Sequence, residues 1–384
     1  MDFDPPSLNL VRDRLASLGR QYTPTDVASA MQAVGLAVSD SAVLDAVESL
    51  RRQSVGAGPL EPLLREPSVT DVVVNGPDQV FIDRGGGLEL TNVHFRNESE
   101  VRALAQRLAA SVGRRLDDAV PFVDARLADG TRVHAVLGCL ASPGTCISLR
   151  VPAQRSFSVE DCIASGSLTP GAAHLLSRMI EAKLAFLISG GTGSGKTTLL
   201  AALLALVPAR ERIVIVEDSR ELAPNHPHVI RIEGRPANTE LAGAISLTDL
   251  VRQSLRMRPD RLVVGEVRGA EICDLLTAMN TGHEGGCGTV HANSTADVPA
   301  RLEALAALGG LPRAALHAQL ASALHAVIHV TRQGAGLRRV AEISIFVRNS
   351  TDGLVRTECA IAFQPDGRTV LGPASGQLER MLGK

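Results

Sequence analysis

The sequence predicts an α/β fold with a mostly parallel sheet, preceded by a smaller α+β domain and a short N-terminal helical segment. Three observations carry that reading. From about residue 170, apolar runs of strand length alternate with stretches of helical periodicity, the pattern of a parallel sheet covered on both faces. One of these runs, 184–188, passes through a glycine-rich turn into the helix-forming stretch TLLAALLALV. Between residues 56 and 151 the pattern is instead short strands cut by turn formers, with a single amphipathic helix. The chain's 384 residues suit two domains with length left for a short extra segment. The expected divisions are a helical segment 1–55, an α+β domain 56–151, a linker 152–169 and the α/β domain 170–384.

In the first segment Leu8, Val11, Leu15 and Leu18 recur at helical spacing. Thr25 can cap a second helix running towards Val34, and Ser39 or Asp40 a third that carries Val43, Leu44, Val47 and Leu50 on one face. Such a bundle suits packing or docking and carries no chemistry. Gly56-Ala57-Gly58-Pro59 marks a break. Strands are expected over 69–75, 79–83 and 88–95, separated by the turn formers NGPD and RGGG. A helix over 99–112 follows, capped by Asn97 or Ser99, and then strand-like stretches 126–137, interrupted at Asp129-Gly130, and 145–151. The linker contains Pro152 and Gly166 and a short helix near 159–164. In the last domain strands are expected at 184–189, 212–218, 228–233, 261–267, 286–292 and 325–332, closed by an antiparallel pair, 338–348 and 354–363.

Composition narrows the function classes. A net charge of −2 provides no global field to attract nucleic acid or an anionic membrane. Aromatics make up only 2%, which argues against binding single strands by stacking. The six cysteines form no C-x-x-C pair, so zinc and redox motifs are unsupported and reduced core thiols are expected. The acidic start MDFDPPSLNL has no apolar signal core, and no run reaches the roughly 18 apolar residues of a membrane span. A cytoplasmic protein is expected, associated with the inner face of a membrane only through partners.

The chemistry centres on Gly190-Gly191-Thr192-Gly193-Ser194-Gly195-Lys196-Thr197-Thr198. Gly190, Gly195, Lys196 and Thr197 fit the phosphate-binding pattern G-x-x-x-x-G-K-[ST], with a strand before it and a helix after it as the pattern requires. The glycines allow a tight turn with several N–H groups aimed at one concavity, and the helix adds its positive end. Lys196 is expected to reach the terminal phosphates and the Thr197 hydroxyl to coordinate Mg²⁺. Two further apolar runs end in carboxylates, Glu217-Asp218 and Glu266, where α/β sheets bind ligands and Mg²⁺ sites take an acid. His283 and His291 flank a short run. They either sense a γ-phosphate or relay it to a neighbouring subunit, or else serve as caps and strand-end hydrogen-bonding groups. Arginines cluster at Arg231 and Arg235 and again at Arg252, Arg256 and Arg258. Arg231 and Arg235 are the candidates for arginine fingers, which stabilise charge on a transferred phosphoryl group.

Taken in order, GGTGSGKTT, VEDSREL, RMRPDRLVVGEVRGAE and MNTGHEGGCGTVHANS resemble the Walker A, Asp box, Walker B and His box of the type II/IV secretion ATPases. RMRPDRLVVGEVRG, AMNTGH and the upstream GPLEPLLREPSVTDVVVNGPDQVFIDR are most similar to the CpaF/TadA-type ATPases of Flp (Tad) pilus assembly, over about residues 56–333. The resemblance implies a RecA-like P-loop domain, a hexameric ring, an inner-membrane platform partner and nucleotide between two domains. It places Glu217 and Glu221 in the Asp box, Glu266 in Walker B, His283 and His291 in the His box, and Arg150 near the nucleotide. The zinc-binding tetracysteine segment of type II secretion relatives is absent. The expected activity is hydrolysis of ATP with Mg²⁺, with Glu217 before Glu266 as the group that activates water. A DNA-translocating or conjugation ATPase and a non-hydrolysing nucleotide scaffold are the alternatives.

Overall fold

The computed structural model describes residues 10–11, 14–15, 23–36, 38–39, 42–44, 46–47, 57–152, 156–235, 237, 242–333 and 336–383. Leu8, Leu18, Asp40, Leu50 and Gly56, which figure in the expected helical bundle and its boundary, lie outside them. Helix α1 (Pro24–Ala33) starts from a Thr23 cap whose side chain and that of Asp26 bond each other's backbone N–H. The cap is Thr23, not the expected Thr25. The chain divides into two compact units, Met1–Pro152 and Ala153–Lys384.

The first unit holds an antiparallel sheet in the order β3-β2-β1-β6-β5-β4. Its strands are β1 (Asp71–Asn75), β2 (Val80–Asp83), β3 (Leu88–Leu90), β4 (Phe122–Arg126), β5 (Arg132–Val136) and β6 (Cys146–Arg150). Burial alternates along β1, β5 and β6, so one face is in the core. A short helix, α2 (Glu61–Leu64), and the longer α3 (Glu98–Ser111) contribute Leu63, Val101, Leu104 and Leu108 to that core. Asn97 caps α3. Two expectations fail locally. The strand expected over 88–95 stops at Leu90, because the Thr91 hydroxyl bonds Val80 O and Val93 N and bends the chain away. The stretch expected over 126–137 does turn at Asp129-Gly130, but its first strand, β4, begins earlier, at Phe122, and ends at Arg126.

The second unit is a nine-stranded sheet in the order β15-β14-β13-β12-β7-β11-β10-β8-β9. From β12 to β9 the pairings are parallel: β7 (Phe186–Ser189), β8 (Ile213–Glu217), β9 (Val229–Glu233), β10 (Arg261–Val267), β11 (Cys287–Val290) and β12 (Ala326–Gln333). Beyond β12 the sheet continues antiparallel through β13 (Leu337–Arg348), β14 (Val355–Phe363) and β15 (Thr369–Leu371). Alternate strand residues enter two different cores. Phe186, Ile188, Ile213, Ile215 and Val263 pack with helices α4 (Val159–Ala164), α5 (Pro170–Glu181) and α6 (Lys196–Leu204). Leu187, Val216, Leu262 and Val264 pack with α7 (Leu247–Ser254), α8 (Glu271–Asn280), α9 (Val298–Leu308) and α10 (Arg313–Ala323). A C-terminal helix, α11 (Ser375–Leu382), not foreseen in the sequence, adds Leu378 to the first of these cores. The stretch read as a linker is largely part of this unit, since Val159, Cys162 and Leu168 are buried in the same core; residues 153–155 lie outside the described ones.

At the N-terminal edge of the parallel strands a buried ion pair joins distant segments. Arg261 donates from Nε to Glu211 Oε2 at 2.7 Å and from Nη2 to Ile180 O at 2.9 Å, and Lys183 Nζ lies 3.1 Å from Glu211 Oε1. Burial disfavours the charge on Glu211, but Arg261 and Lys183 outweigh it and hold the carboxyl below its usual range. Gly285 leaves room for the guanidinium, since a Cβ there would stand 2.1 Å from Arg261 Nη1. Glu211→Ala should therefore cost about 3–5 kcal/mol by stranding a buried guanidinium. Urea unfolding followed by circular dichroism measures this; a loss below about 1 kcal/mol would show that the pair is dispensable.

Candidate functional site

Sheet order brings the candidate groups to one edge. Strands β7, β11, β10 and β8 are successive neighbours and parallel, so their C-terminal ends point the same way. From those ends emerge the glycine loop 190–195, His291, Glu266 and Glu217 respectively. Buried parallel strands leave only their ends for polar groups, and the carboxyl ends are where open α/β sheets bind ligands.

The loop turns on Gly190, Gly193 and Gly195, at φ 153°, 69° and 93°. A Cβ at Gly190 would stand 2.3 Å from Val330 O and 2.7 Å from Ser194 Oγ, so the loop is pressed against β12. Gly191, Thr192 and Gly193 are exposed, Ser194 is buried, and Thr197 and Thr198 are half-buried in the first turn of α6. Lys196 is buried and donates to Gly190 O at 3.0 Å and Gly191 O at 2.9 Å. Burial lowers its pKa, and nearby Glu266 opposes that shift. Beneath the loop Ser189 Oγ and His329 Nδ1 lie 2.9 Å apart. His329 is a cross-strand neighbour of Glu342, which accepts from Thr295 Oγ1 at 2.9 Å, and His329 also bonds the backbone of Asn293 in the segment following His291.

The two glutamates occupy different environments. Glu217 is only 4% exposed and accepts at Oε1 from the N–H groups of Glu221, 3.0 Å, and Leu222, 2.9 Å. Its Oε2 is buried without a hydrogen-bond partner. Burial pushes its pKa up to about 7, against the pull of those N–H groups and of Arg231. Gly265 makes this placement possible, since a Cβ there would stand 2.6 Å from Glu217 Cγ. Glu266 is half-buried. Burial alone would raise its pKa, but Arg268, 2.5 Å away, together with His291 and Lys196, brings it below the usual carboxylate range. His291 Nε2 lies 2.8 Å from Glu266 Oε1, an ion-pair distance without hydrogen-bond alignment, and its Nδ1 is 3.4 Å from Lys196 Nζ. Burial and Lys196 lower the His291 pKa, so the ring is neutral at pH 7. A neutral ring accepts from Lys196 at Nδ1 and carries its proton on Nε2, towards Glu266.

The arrangement combines an anion cradle, one ionised carboxylate and one carboxyl poised near neutrality. Thr197 and Glu266 suit Mg²⁺, which takes one or two protein oxygens and completes its shell with phosphate and water. The orphaned Glu217 Oε2 can accept from a water. Other candidates fall elsewhere. His283 precedes β11 and so sits at the opposite end of that strand from Lys196; its Nδ1 lies 3.3 Å from Ala278 O, closing α8. Its place at the far end of β11 sets it apart from the glycine loop, and its contact with Ala278 O fits the capping alternative. Arg231 lies within the edge strand β9, and Arg235 donates from Nε to Gly243 O at 2.8 Å. Arg150, the last residue of β6 in the first unit, has Nε 3.1 Å from Asp71 Oδ1. Sequence reasoning missed Gly265, Arg268 and the Ser189–His329 pair. Only Gly265 had a signal, a glycine inside a strand pattern.

Because the Glu217 pKa is raised above its ordinary 4.5, the folded chain holds this proton longer than the unfolded one. Between pH 4.5 and about 7 stability therefore falls as pH rises. Glu217→Gln should recover up to about 3 kcal/mol above pH 7 and nothing near pH 4. Urea unfolding of both proteins across that range tests this, and parallel pH profiles would refute it.

Comparison with known proteins adds the following. The family model described as "Type II/IV secretion system protein" matches residues 53–363. A Mycobacterium tuberculosis protein named "Putative conjugal transfer protein" is 54% identical over 314 residues, 80% of this chain and 89% of its own length. The type IV secretion system protein PtlH of Bordetella pertussis is 33% identical over 73% of this chain and 91% of its own. The conjugal transfer protein TrbB of Rhizobium radiobacter is 30% identical over 73% and 84%. The crystal structure of the pilus retraction motor PilT with bound ADP aligns at a TM-score of 0.53 and 20% identity, covering 76% of this chain and 82% of its own, a likeness of fold. The second unit is thus a RecA-like P-loop domain.

Proposed function

Because the chain belongs to the type II/IV secretion system protein family, we propose that it is a motor ATPase that hydrolyses ATP to ADP and phosphate at the loop 190–198. The observation that carries this reading is the convergence of Lys196, His291, Glu266 and Glu217 on one sheet edge, with the two glutamates in contrasting states of ionisation. Lys196 exchanges its bonds to the Gly190 and Gly191 carbonyls for phosphate oxygens. The N–H groups of residues 191–198 complete the cradle. Thr197 and Glu266 would hold Mg²⁺, which would neutralise phosphate charge when bound. Glu217 orients water through Oε2 and takes its proton, which suits a group with a pKa near the working pH. Arg268, anchored on Glu266, keeps that carboxylate ionised.

The chain works as a hexameric ring in which Arg231, Arg235 or Arg150 reach a neighbour's nucleotide, with His283 at the same interface. The ring acts on an inner-membrane platform protein, most simply in a Tad-type pilus machine, as the sequence boxes support. Among the described residues no helix is long and apolar enough to cross a membrane, so attachment runs through that partner. A second reading is favoured by the conjugal transfer names of two relatives, namely a motor of DNA transfer. The net charge of −2 weighs against direct DNA contact. Turnover stimulated by DNA and lost with rising salt would favour the second reading.

Lys196→Ala should lower phosphate release at least about a hundredfold; normal turnover would remove the loop from the chemistry. In wild-type protein kcat/KM should rise with pH through about 7 as Glu217 loses its proton, while Glu217→Gln should bind ATP without turning it over. A pH-independent kcat/KM would transfer the base role to another group. If the arginines act in trans, mixing the dead Arg231→Ala/Arg235→Ala variant with dead Lys196→Ala should restore partial activity. Verified mixed rings without recovery would end the trans-finger proposal.

A further inference from the structure

Two arginines outside every motif read from the sequence lie over the phosphate loop. Arg332 on β12 and Arg338 on β13 are direct cross-strand partners, so their side chains leave the same face of the sheet. Both lie on the loop's side. A Cβ at Gly193 would stand 3.7 Å from Arg332 Nη1, and one at Gly195 would stand 3.1 Å from Arg338 Cδ. The aliphatic stem of Arg338 therefore lies along Gly195, the residue that caps α6.

The charge balance is unusual. Like charges directly opposite on a sheet repel. Lys196 and the positive end of α6 add to the same region. Among the described residues neither guanidinium has a carboxylate within ion-pair distance, and Arg338 Nε is buried without a hydrogen-bond partner. Arg339, one residue on and on the opposite face, also has its Nε buried without a hydrogen-bond partner, and it acts electrostatically on Asp366. Repelling cations held beside an anion cradle become favourable when an anion joins them.

We propose that Arg332 and Arg338 clamp the diphosphate of the nucleotide from within the same subunit. This rests on the nucleotide reading above. The side of approach fixes which phosphates are held. β12 flanks β7 on one side, while β11, β10 and β8, carrying His291, Glu266 and Glu217, lie on the other. The terminal phosphate faces the carboxylates, so the arginines meet the two inner phosphates, which ADP and ATP share. Contacts made equally in ground and transition states change KM and leave kcat alone.

The test compares wild type, Arg332→Gln/Arg338→Gln and Arg332→Lys/Arg338→Lys, using a fluorescent ADP, a fluorescent non-hydrolysable ATP analogue and phosphate release. The Gln pair should weaken both nucleotides by a similar factor, at least about tenfold. It should raise KM with kcat within about twofold, and flatten the salt dependence of binding. The Lys pair keeps the charge and should recover most of the affinity. Unchanged Kd values in the Gln pair, loss of ATP affinity alone, or a fall in kcat at constant KM would overturn the clamp. So would a Lys pair that melts and binds like wild type while the Gln pair loses affinity only in proportion to a lowered apo melting temperature. Wild-type protein that binds neither nucleotide would overturn the nucleotide reading itself, whatever the variants do.

Discussion

A parallel sheet covered on both faces has nowhere to put a polar side chain except at the ends of its strands. Everything functional in the second unit follows from that constraint. Along β7, β8 and β11 every residue is buried. The side chains with chemistry gather where the chain leaves the sheet, at Lys196, Glu217, Glu266 and His291. The opposite edge has the same problem and a different answer. There Glu211 pairs with both Arg261 and Lys183, and the cluster joins α5, β10 and the turn before β8. One edge is electrostatically closed and the other is left open to a ligand.

The open edge is costly to maintain. Glu217 sits in a place that disfavours its charge, with one oxygen unpartnered and its methylene against a glycine. Among the described residues, Lys196 is buried and bonded only to carbonyls and a histidine. These are conditions a fold avoids unless activity requires them, since strain and desolvation at a site are compensated elsewhere in the structure. Glu266 shows the contrast. One residue beyond Gly265 and facing Arg268, it is kept ionised by neighbours of opposite charge. Two glutamates from similar strand ends thus take different states for reasons visible within a few ångströms.

Fully buried strands read as apolar runs, which is why β7, β8 and the core of β10 were legible in the sequence to within a residue or two. The glycine loop was legible because its pattern encodes a local turn. What failed were features made by the third dimension. His283 and His291 are eight residues apart, yet β11 runs between them and its four residues span about 13 Å, so they face opposite edges. The end of β3 depended on one hydroxyl, that of Thr91, turning back on its own backbone. Arg332 and Arg338 come to the loop through the antiparallel pairing of β12 and β13, which brings residues from far along the chain against Gly193 and Gly195. Arg231 and Arg235, close to a strand end in sequence, were more conspicuous; Arg231 acts electrostatically on Glu217, and Arg235 bonds Gly243 O.

The position of β7 in the sheet also bears on when the site can come into being during synthesis. Its two neighbours are β11 and β12, supplied roughly a hundred and a hundred and forty residues downstream. The glycine loop leans on the carbonyl of Val330, and Ser189 on His329, both in β12. A nascent chain that has emerged only as far as α10 already carries the complete loop, both glutamates and both histidines. It lacks the wall against which the loop is braced. Closure of these distant pairings is the slow, entropically expensive part of assembling such a sheet. The order of the chain therefore makes completion of the engine one of the last events of its own folding, and an unfinished copy holds all of the motif residues without the shape that joins them.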